Sequence, residues 1–457
     1  MKKKILIVSR HETSFQELYK LYEQINLNEF DVKFFFASQE KIKIKKDSFY
    51  DISNDVYNKT LVKCLIKFEK YFYELDKKIP RFSNNILVSL FRLIISIFIN
   101  LIHYKFFFAL LKREKPNLLI LSGDRSLYLE IPCNKASIDL KIKTLIGCSS
   151  IGRKNGLIPG RAKSLSYSTS LNDFPPLLNF LTRIIFKKQV HQKEKNILFS
   201  PGWKCFSYLC IGMLPKNPWV LGASFSKYIL AHSKDYYDYL IREQVDKNRI
   251  FFIGDQNHVK LYKVWKNKKM FKAMFKKKMN ISRKRIILIS VPCEAEHNLL
   301  SWEVHKSNLF NYLSSFKDCN YDIFFMLHPR SKIENYSFLV QKLNFKLIID
   351  DIENVLPIVD CFICGYSTLT NFTKLIEVPT VIMDFLNLNV KLDFAGSNGF
   401  IVSNSSESFA QAINKLDDLM KKKSDPKFKK FCNDRRQDVM FDGNFKTRYH
   451  KLLCKLC

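Results

Sequence analysis

Arg285-Ile286-Ile287-Leu288-Ile289-Ser290-Val291 decides the fold. A short run that is apolar at both parities and closes on small or polar residues is a strand buried on both faces, which is what a parallel sheet covered by helices requires. Runs of the same kind precede it at 4–9, 32–38, 117–123, 143–149, 228–233 and 249–254, and follow it at 321–327, 345–349, 361–364 and 380–384. Helix-length segments separate them, with helical spacing clearest at 333–343 and 368–376, so the chain reads as alternating strand and helix. The Lys-rich, helix-compatible stretch 260–278 interrupts the series before it restarts at 285.

This pattern predicts an N-terminal α/β domain over 1–265, a basic linker over 266–284, a second α/β domain over 285–425, and C-terminal helices over 426–457 that pack back on the first domain. Residues 151–215 are the least legible, with loop signals at Gly152, Gly156, Pro175-Pro176 and Pro201-Gly202. Open parallel sheets bind ligands at the carboxyl ends of their strands, and two such sheets facing one another enclose a cleft. The chemistry is therefore sought in the loops that follow strands.

Composition narrows the partners. The 457 residues are 47% hydrophobic and 14% aromatic, which excludes a disordered chain. Lys and Arg number 75 against 43 Asp and Glu, and the net charge of +32 favours phosphate-bearing partners: nucleotides, anionic lipid headgroups or nucleic acid. A rival source of the same excess is coding bias, since Phe (40) is over-used along with Lys, Ile and Asn while Gly (13) and Pro (14) are scarce. The sequence carries no Walker loop, zinc-finger spacing or aromatic-bearing RNP strand, so nucleic acid is not expected as a partner.

The 12 cysteines have no framework spacing, which fits a reducing cytoplasm. Two C-x-x-C runs, Cys361 to Cys364 and Cys454 to Cys457, lie far apart, and the first sits inside a strand pattern, so neither a metal nor a cofactor is expected. Lys2-Lys3-Lys4 leads straight into a strand-length run rather than a signal-peptide core. The stretch 86–111 is the most apolar, but Arg92 and Lys105 leave only 93–104 uncharged, short of the roughly 20 residues a spanning helix needs. The expectation is a cytoplasmic chain that touches the inner, anionic face of the membrane.

Candidate site residues follow from position. Leu327-His328-Pro329-Arg330 comes directly after a strand: imidazole and guanidinium both donate to phosphate, and proline ends the strand. The plainer alternative is a strand-end histidine beside a solvated arginine. Gly365-Tyr366-Ser367-Thr368 follows the strand 361–364 and opens the next helical pattern, so hydroxyls and free N–H groups are available to an anion, or to an ordinary helix cap. Glu294, Glu296 and His297 follow the strand 285–291, as sugar contacts or as a solvated loop. On the first domain, Arg10-His11-Glu12 follows the first strand and Asp124 follows the strand 117–123, and these supply the candidate general bases. Asp350-Asp351 reads as a helix cap.

At these motifs the sequence resembles the GT-B glycosyltransferases. Within that group, His-Pro followed by a Ser-Thr turn is similar to bacterial sialyl- and polysialyltransferases, CDP-glycerol glycerophosphotransferases and related surface-carbohydrate enzymes. Asn217-Pro218-Trp219-Val220-Leu221-Gly222, Ala231-His232-Ser233 and Phe252-Ile253-Gly254-Asp255 resemble the late first-domain segment of such proteins. The resemblance implies two Rossmann-like domains facing across a cleft. It also implies that His328, Arg330, Ser367 and Thr368 hold the donor phosphate, with Gly365 in the same turn and Glu294 on the donor side.

The chain departs from the group's pattern where a ribose-binding acid is expected, because Thr370, Asn371 and Phe372 occupy that region and Glu377 arrives only before Val378-Pro379. Lys115-Pro116 and Gly123-Asp124-Arg125 resemble the hydrolysing UDP-N-acetylglucosamine 2-epimerases, in which that Asp is catalytic, but the segment after Asp384 is Phe385-Leu386-Asn387-Leu388-Asn389, without the acidic, Arg-Pro-containing pattern of that family.

The function expected is transfer of a sugar from a nucleotide donor to a surface polysaccharide or lipid-linked acceptor, inverting and metal-independent, with Asp124, His11 or Glu12 as the base. The alternatives are a nucleotide-sugar epimerase or hydrolase, a CDP-alditol polyol-phosphate transferase, and, from another class, a basic nucleic-acid-binding protein.

Overall fold

The alternating pattern folds into two parallel sheets. The computed structural model describes residues 2–9, 12–36, 49–51, 86–125, 130–147, 184–191, 197–200, 202–281, 285–297, 299–317, 319–328, 331–387 and 399–457. They divide into two compact units, Met1–Gln256 with Phe445–Cys457, and Asn257–Asn444.

In the first unit, β1 (Lys3–Ser9), β2 (Phe30–Phe36), β3 (Phe49–Asp51), β4 (Leu118–Leu121) and β5 (Lys143–Ile146) are followed by a small antiparallel pair, β6 (Val190–His191) and β7 (Ile197–Leu198), and then by β8 (Tyr228–Ala231) and β9 (Ile250–Phe252). The main sheet runs β3-β2-β1-β4-β5-β8-β9, every pairing parallel. Ile5 pairs with Val32 on one side and Leu118 on the other, which makes β1 central. Alternate residues go to opposite faces: Leu6, Val8, Leu119 and Leu121 join one core cluster. Ile5, Ile7 and Phe34 are equally buried on the other parity, where Phe15 of the helix Glu12–Tyr22 lies 4.8 Å from the Phe34 ring.

The second unit repeats the plan. Its strands are β10 (Ile286–Ser290), β11 (Asp322–Met326), β12 (Lys346–Leu347), β13 (Cys361–Cys364), β14 (Thr380–Met383) and β15 (Phe400–Ser403), in the parallel order β12-β11-β10-β13-β14-β15. Ile287, Ile289, Phe325 and Ile363 line one face, and Ile286, Leu288, Phe324 and Phe362 the other. In both sheets the chain moves outward from the first strand, then returns to build the other side. The strand order therefore reverses between β1 and β4 and again between β10 and β13, and such a reversal opens a crevice at the carboxyl ends of the two strands.

The structure corrects the sequence reading in several places. The short edge strands β3 and β15 and the pair β6–β7 were not predicted. The first stretch of the first unit runs to Gln256, and the described residues 266–281 fall within the second unit. The helix Lys268–Lys278 belongs to the second unit, where Phe271 and Phe275 pack on the core and Lys272 Nζ donates to both carboxylate oxygens of Asp360 at 2.9 and 2.8 Å. Asp360 also accepts the Ile286 N–H at 3.0 Å; burial pushes its carboxyl upward, but these bonds hold it below the usual range. The C-terminal helices separate. Helix Pro426–Asp438 stays with the second unit, its Arg436 pairing with Glu377 at 2.7 Å, whereas Phe445–Leu456 joins the first, where Arg448 Nε donates to the Ile253 carbonyl at 2.9 Å.

Candidate functional site

In the second unit, the loops after β10, β11 and β13 converge where the strand order reverses. Gly365, the first residue past β13, lies against the loop that follows β10: a Cβ placed there would sit 3.2 Å from Pro292 Cγ and 3.4 Å from Glu294 Oε1. No other residue type leaves that approach undisturbed. The β10 loop itself closes as a turn, with the His297 N–H donating to the Cys293 carbonyl at 3.2 Å and the Leu299 N–H to the Glu294 carbonyl at 2.9 Å.

Two carboxylates on this turn have opposite surroundings. Glu294 is largely buried, its Oε2 has no hydrogen-bond partner among the described residues, and burial, reinforced by the nearby charge of Glu296, pushes its carboxyl up to about 6. Glu296 also loses solvent, but Ser331 and Tyr336 donate their hydroxyls to its Oε1, the latter at 2.8 Å, and hold it below the usual range. His305, on the buried face of helix Trp302–Leu313, stands 3.3 Å from the Tyr336 hydroxyl and 3.6 Å from Glu294 Oε2. Burial lowers its basicity, against the pull of Glu296, so at neutral pH it faces Glu294 as a neutral imidazole rather than as an ion-pair partner. Carboxyl groups driven apart in this way are the pattern of a site that handles protons or polar hydroxyls.

His328 is half-buried immediately after β11, its ring 5.9 Å from the exposed His297. The Ser331 N–H donates to the His328 carbonyl at 2.8 Å. Cys293, His297 and His328 bring three ligand-type atoms within 4.8 Å of one another, and on the first unit Glu29, His450 and Cys454 do the same. Cys361 and Cys364 are buried in β13 and contribute to the cores on opposite faces of the sheet, so they cannot share an ion.

The turn after β13 is partly self-satisfied. Ser367 Oγ accepts the Leu369 N–H at 3.2 Å, the Ser367 carbonyl accepts the Thr370 hydroxyl at 2.8 Å, and Thr368 is exposed. The helix opens at Thr370, later than predicted, and runs only to Ile376. Tyr366 donates to Asp384 Oδ2 at 3.1 Å. Glu377, at φ 58° past the helix end, is engaged by Arg436 and is not a free ribose ligand.

The first unit gives a different answer for Asp124. Its side chain has no exposed surface; Oδ1 accepts the Gly222 N–H at 2.9 Å, and Oδ2 accepts those of Ser224 at 2.8 Å and Phe225 at 3.1 Å. Arg125 donates to the Pro218 and Trp219 carbonyls at 3.3 and 3.1 Å. The carboxylate expected to face the acceptor thus also anchors the 217–225 loop. Beside it, Ser122 donates to Glu130, whose Oε2 lies 2.6 Å from where a Cβ on Gly123 would stand. Glu12 opens the helix that follows β1, and His11 and Arg330 lie outside the described residues.

Sequence reasoning placed Glu294, Glu296, His297, His328 and the Gly365 turn in neighbouring loops of one unit. It missed His305, Tyr336 and Ser331, which complete the polar network from positions that no spacing connects to the β10 loop.

No protein-family model matches the chain, and no curated protein matches its sequence. Among solved structures, UDP-GlcNAc 2-epimerase from Neisseria meningitidis, bound to UDP-GlcNAc, aligns over 99% of this chain and 100% of its own at 11% identity and a TM-score of 0.53. The wall teichoic acid polymerase TagF aligns over 99% of this chain and 89% of its own at 12% identity and a TM-score of 0.52. An S. aureus MnaA–UDP co-structure covers 100% and 98% at 10% identity and a TM-score of 0.51. At such identities the likeness is one of fold: two Rossmann-like units in series, the GT-B architecture.

Proposed function

We propose that the chain is a glycosyltransferase that takes a sugar from a nucleotide-activated donor and passes it to a surface-polysaccharide or lipid-linked acceptor. The observation that supports this best is the approach of Glu294 to Gly365 at the strand-order reversal of the second sheet, with His328 at the end of the neighbouring strand. In this reading the donor phosphates lie over the β11 and β13 loops, where His328, Arg330 and the Ser367 and Thr368 hydroxyls meet the charge that develops on the leaving group. Glu294 takes a sugar hydroxyl. The acceptor hydroxyl attacks the anomeric carbon, the glycosidic bond to phosphate breaks with inversion, and the proton passes to His11 or Glu12, which follow β1 in the sequence. We place the base there rather than at Asp124, whose buried oxygens already accept three backbone N–H groups.

A second reading, epimerisation or hydrolysis of the nucleotide sugar, draws support from the likeness in fold to the UDP-GlcNAc 2-epimerases. A thermal-shift panel of UDP-, CMP-, GDP- and CDP-linked donors identifies the ligand, and incubation of that donor without acceptor then separates the two. A transferase leaves the donor intact until a glycan is added, whereas an epimerase or hydrolase consumes it alone. His328→Ala and Arg330→Ala should each weaken donor binding at least about tenfold without lowering the unfolding temperature. Unchanged affinity in both variants removes the phosphate site.

A further inference from the structure

The helix Ile86–Glu114 is built inside out over its first half. Its inward side carries Arg92, Ser96 and Asn100, buried together with the single apolar Ile99, and Asn100 donates back to the Ser96 carbonyl at 2.7 Å while its own Oδ1 has no partner among the described residues. The outward side carries Leu87, Phe91, Ile94, Phe98 and Leu101, at helical spacing and all exposed, with Leu87 at 69% and Ile94 and Phe98 each at 62%. A helix that meets water on its outer side places these residue types the other way round. From Tyr104 onward the helix returns to the ordinary arrangement, with Phe107, Leu110 and Leu111 in the core of the first unit.

Two facts say what covers the apolar stripe. The first is charge: from Ile86 to Arg113 the helix has no acidic residue, whereas Lys105, Lys112 and Arg113 follow the stripe, on a chain of net charge +32. The second is the packing of the opposite side. By length and composition Leu90–Glu114 is apolar enough to cross a membrane. Its far end, however, packs in the core of the first unit beside the helix Glu130–Asp139, which leaves the stripe of its first half as the part open to a bilayer surface. An apolar stripe followed by cations and lying parallel to a surface fits the boundary of an anionic bilayer, with the side chains among the acyl chains and the lysines at headgroup level.

We infer that residues 87–101 form the face by which the first unit docks on an anionic lipid bilayer. The inference is independent of the donor site.

The test is co-sedimentation of the full chain with vesicles of phosphatidylglycerol and phosphatidylcholine, compared with phosphatidylcholine alone, for the wild type and for Ile94→Glu/Phe98→Glu. Both substituted side chains are already outside the core, and circular dichroism checks that the variant is folded; Ile94→Ser/Phe98→Ser serves if it is not. The wild type should bind the anionic vesicles, bind phosphatidylcholine at least about tenfold more weakly, and lose affinity with added salt. The double variant should bind anionic vesicles at least about tenfold more weakly than the wild type. Equal binding to both vesicle types, or binding unchanged by the substitutions, overturns the inference. So does a lipid-free dimer that these substitutions dissociate, since a second copy would then be the occupant.

Discussion

Asp124 Oδ2 accepts the backbone N–H of Ser224 at 2.8 Å, joining the loop after β4 to a segment a hundred positions further along the chain. With the Gly222 and Phe225 N–H groups on the same carboxylate, the side chain does for the 217–225 loop what a strand partner does for a strand: it satisfies donors that have left water.

Asp124→Ala should therefore act on stability. Two buried donors and one half-buried one lose their acceptor, at a cost of about 3 kcal/mol. Urea unfolding measures it, and Asp124→Asn, which keeps one carbonyl oxygen, should fall between the two. A variant with wild-type stability and abolished turnover would mean that the carboxylate is catalytic after all.

Glu294 makes a pH-dependent prediction. Its carboxyl is raised in the folded state from an ordinary 4.5 to about 6, so the fold binds the proton more tightly than the unfolded chain does. The resulting stability is fully present below about pH 4.5 and is lost as pH rises through about 6. A shift of that size corresponds to about 2 kcal/mol. Glu294→Gln cannot ionise, so relative to the wild type it should gain about that much between pH 4.5 and 7. Denaturant unfolding of both proteins across this range reads the difference, and a constant offset would rule out the burial described for Glu294.

How far the sequence foretells this molecule depends on how local each signal is. The central strands of both sheets were legible because burial on two faces leaves an unbroken apolar run, as in Ile286-Ile287-Leu288-Ile289. Edge strands escape that rule: β15 leaves Val402 exposed, β3 is only Phe49–Asp51, and Ile349, read as strand, lies beyond β12 with 90% of its surface free. His328 and Gly365 were legible because each directly follows a strand. Asp124 was placed at a strand end, but its backbone N–H partners went unforeseen, since no side-chain pattern marks a backbone donor. Tyr336 and His305 reach Glu294 and Glu296 from two helical segments, and that meeting exists only in three dimensions.

Gly365→Ala tests the approach at the strand reversal. The added methyl meets Pro292 at 3.2 Å, tighter than ordinary packing, and touches the Glu294 carboxylate at 3.4 Å, so Pro292 and the β10 loop must give by a few tenths of an ångström. Overpacking of this kind costs about 1–3 kcal/mol. If the two loops hold the donor together, calorimetric titration with the donor found by thermal shift should show weakened binding even at temperatures where the variant is fully folded. Wild-type affinity would separate Gly365 from the site.

Lys272 and Asp360 carry the last prediction, because they decide whether the basic stretch after residue 266 is connection or core. Lys272→Met removes the closest cation from a largely buried carboxylate, leaving it Arg285 at 4.0 Å and the field of Lys423, a loss of about 1.5–3 kcal/mol. The sign of the pH dependence follows from the lowered carboxyl of Asp360: its contribution in the wild type is present above the unfolded value of 3.8 and disappears as pH falls through the folded one. The deficit of Lys272→Met should accordingly be largest near neutrality and shrink in acid, where the orphaned Asp360 takes up a proton. Adding Asp360→Asn should recover much of the stability, since the charge is then absent while an acceptor remains for the Ile286 N–H at the head of β10. Thermal unfolding of the two single variants and the double variant distinguishes this from a linker, for which Lys272→Met would be neutral at every pH.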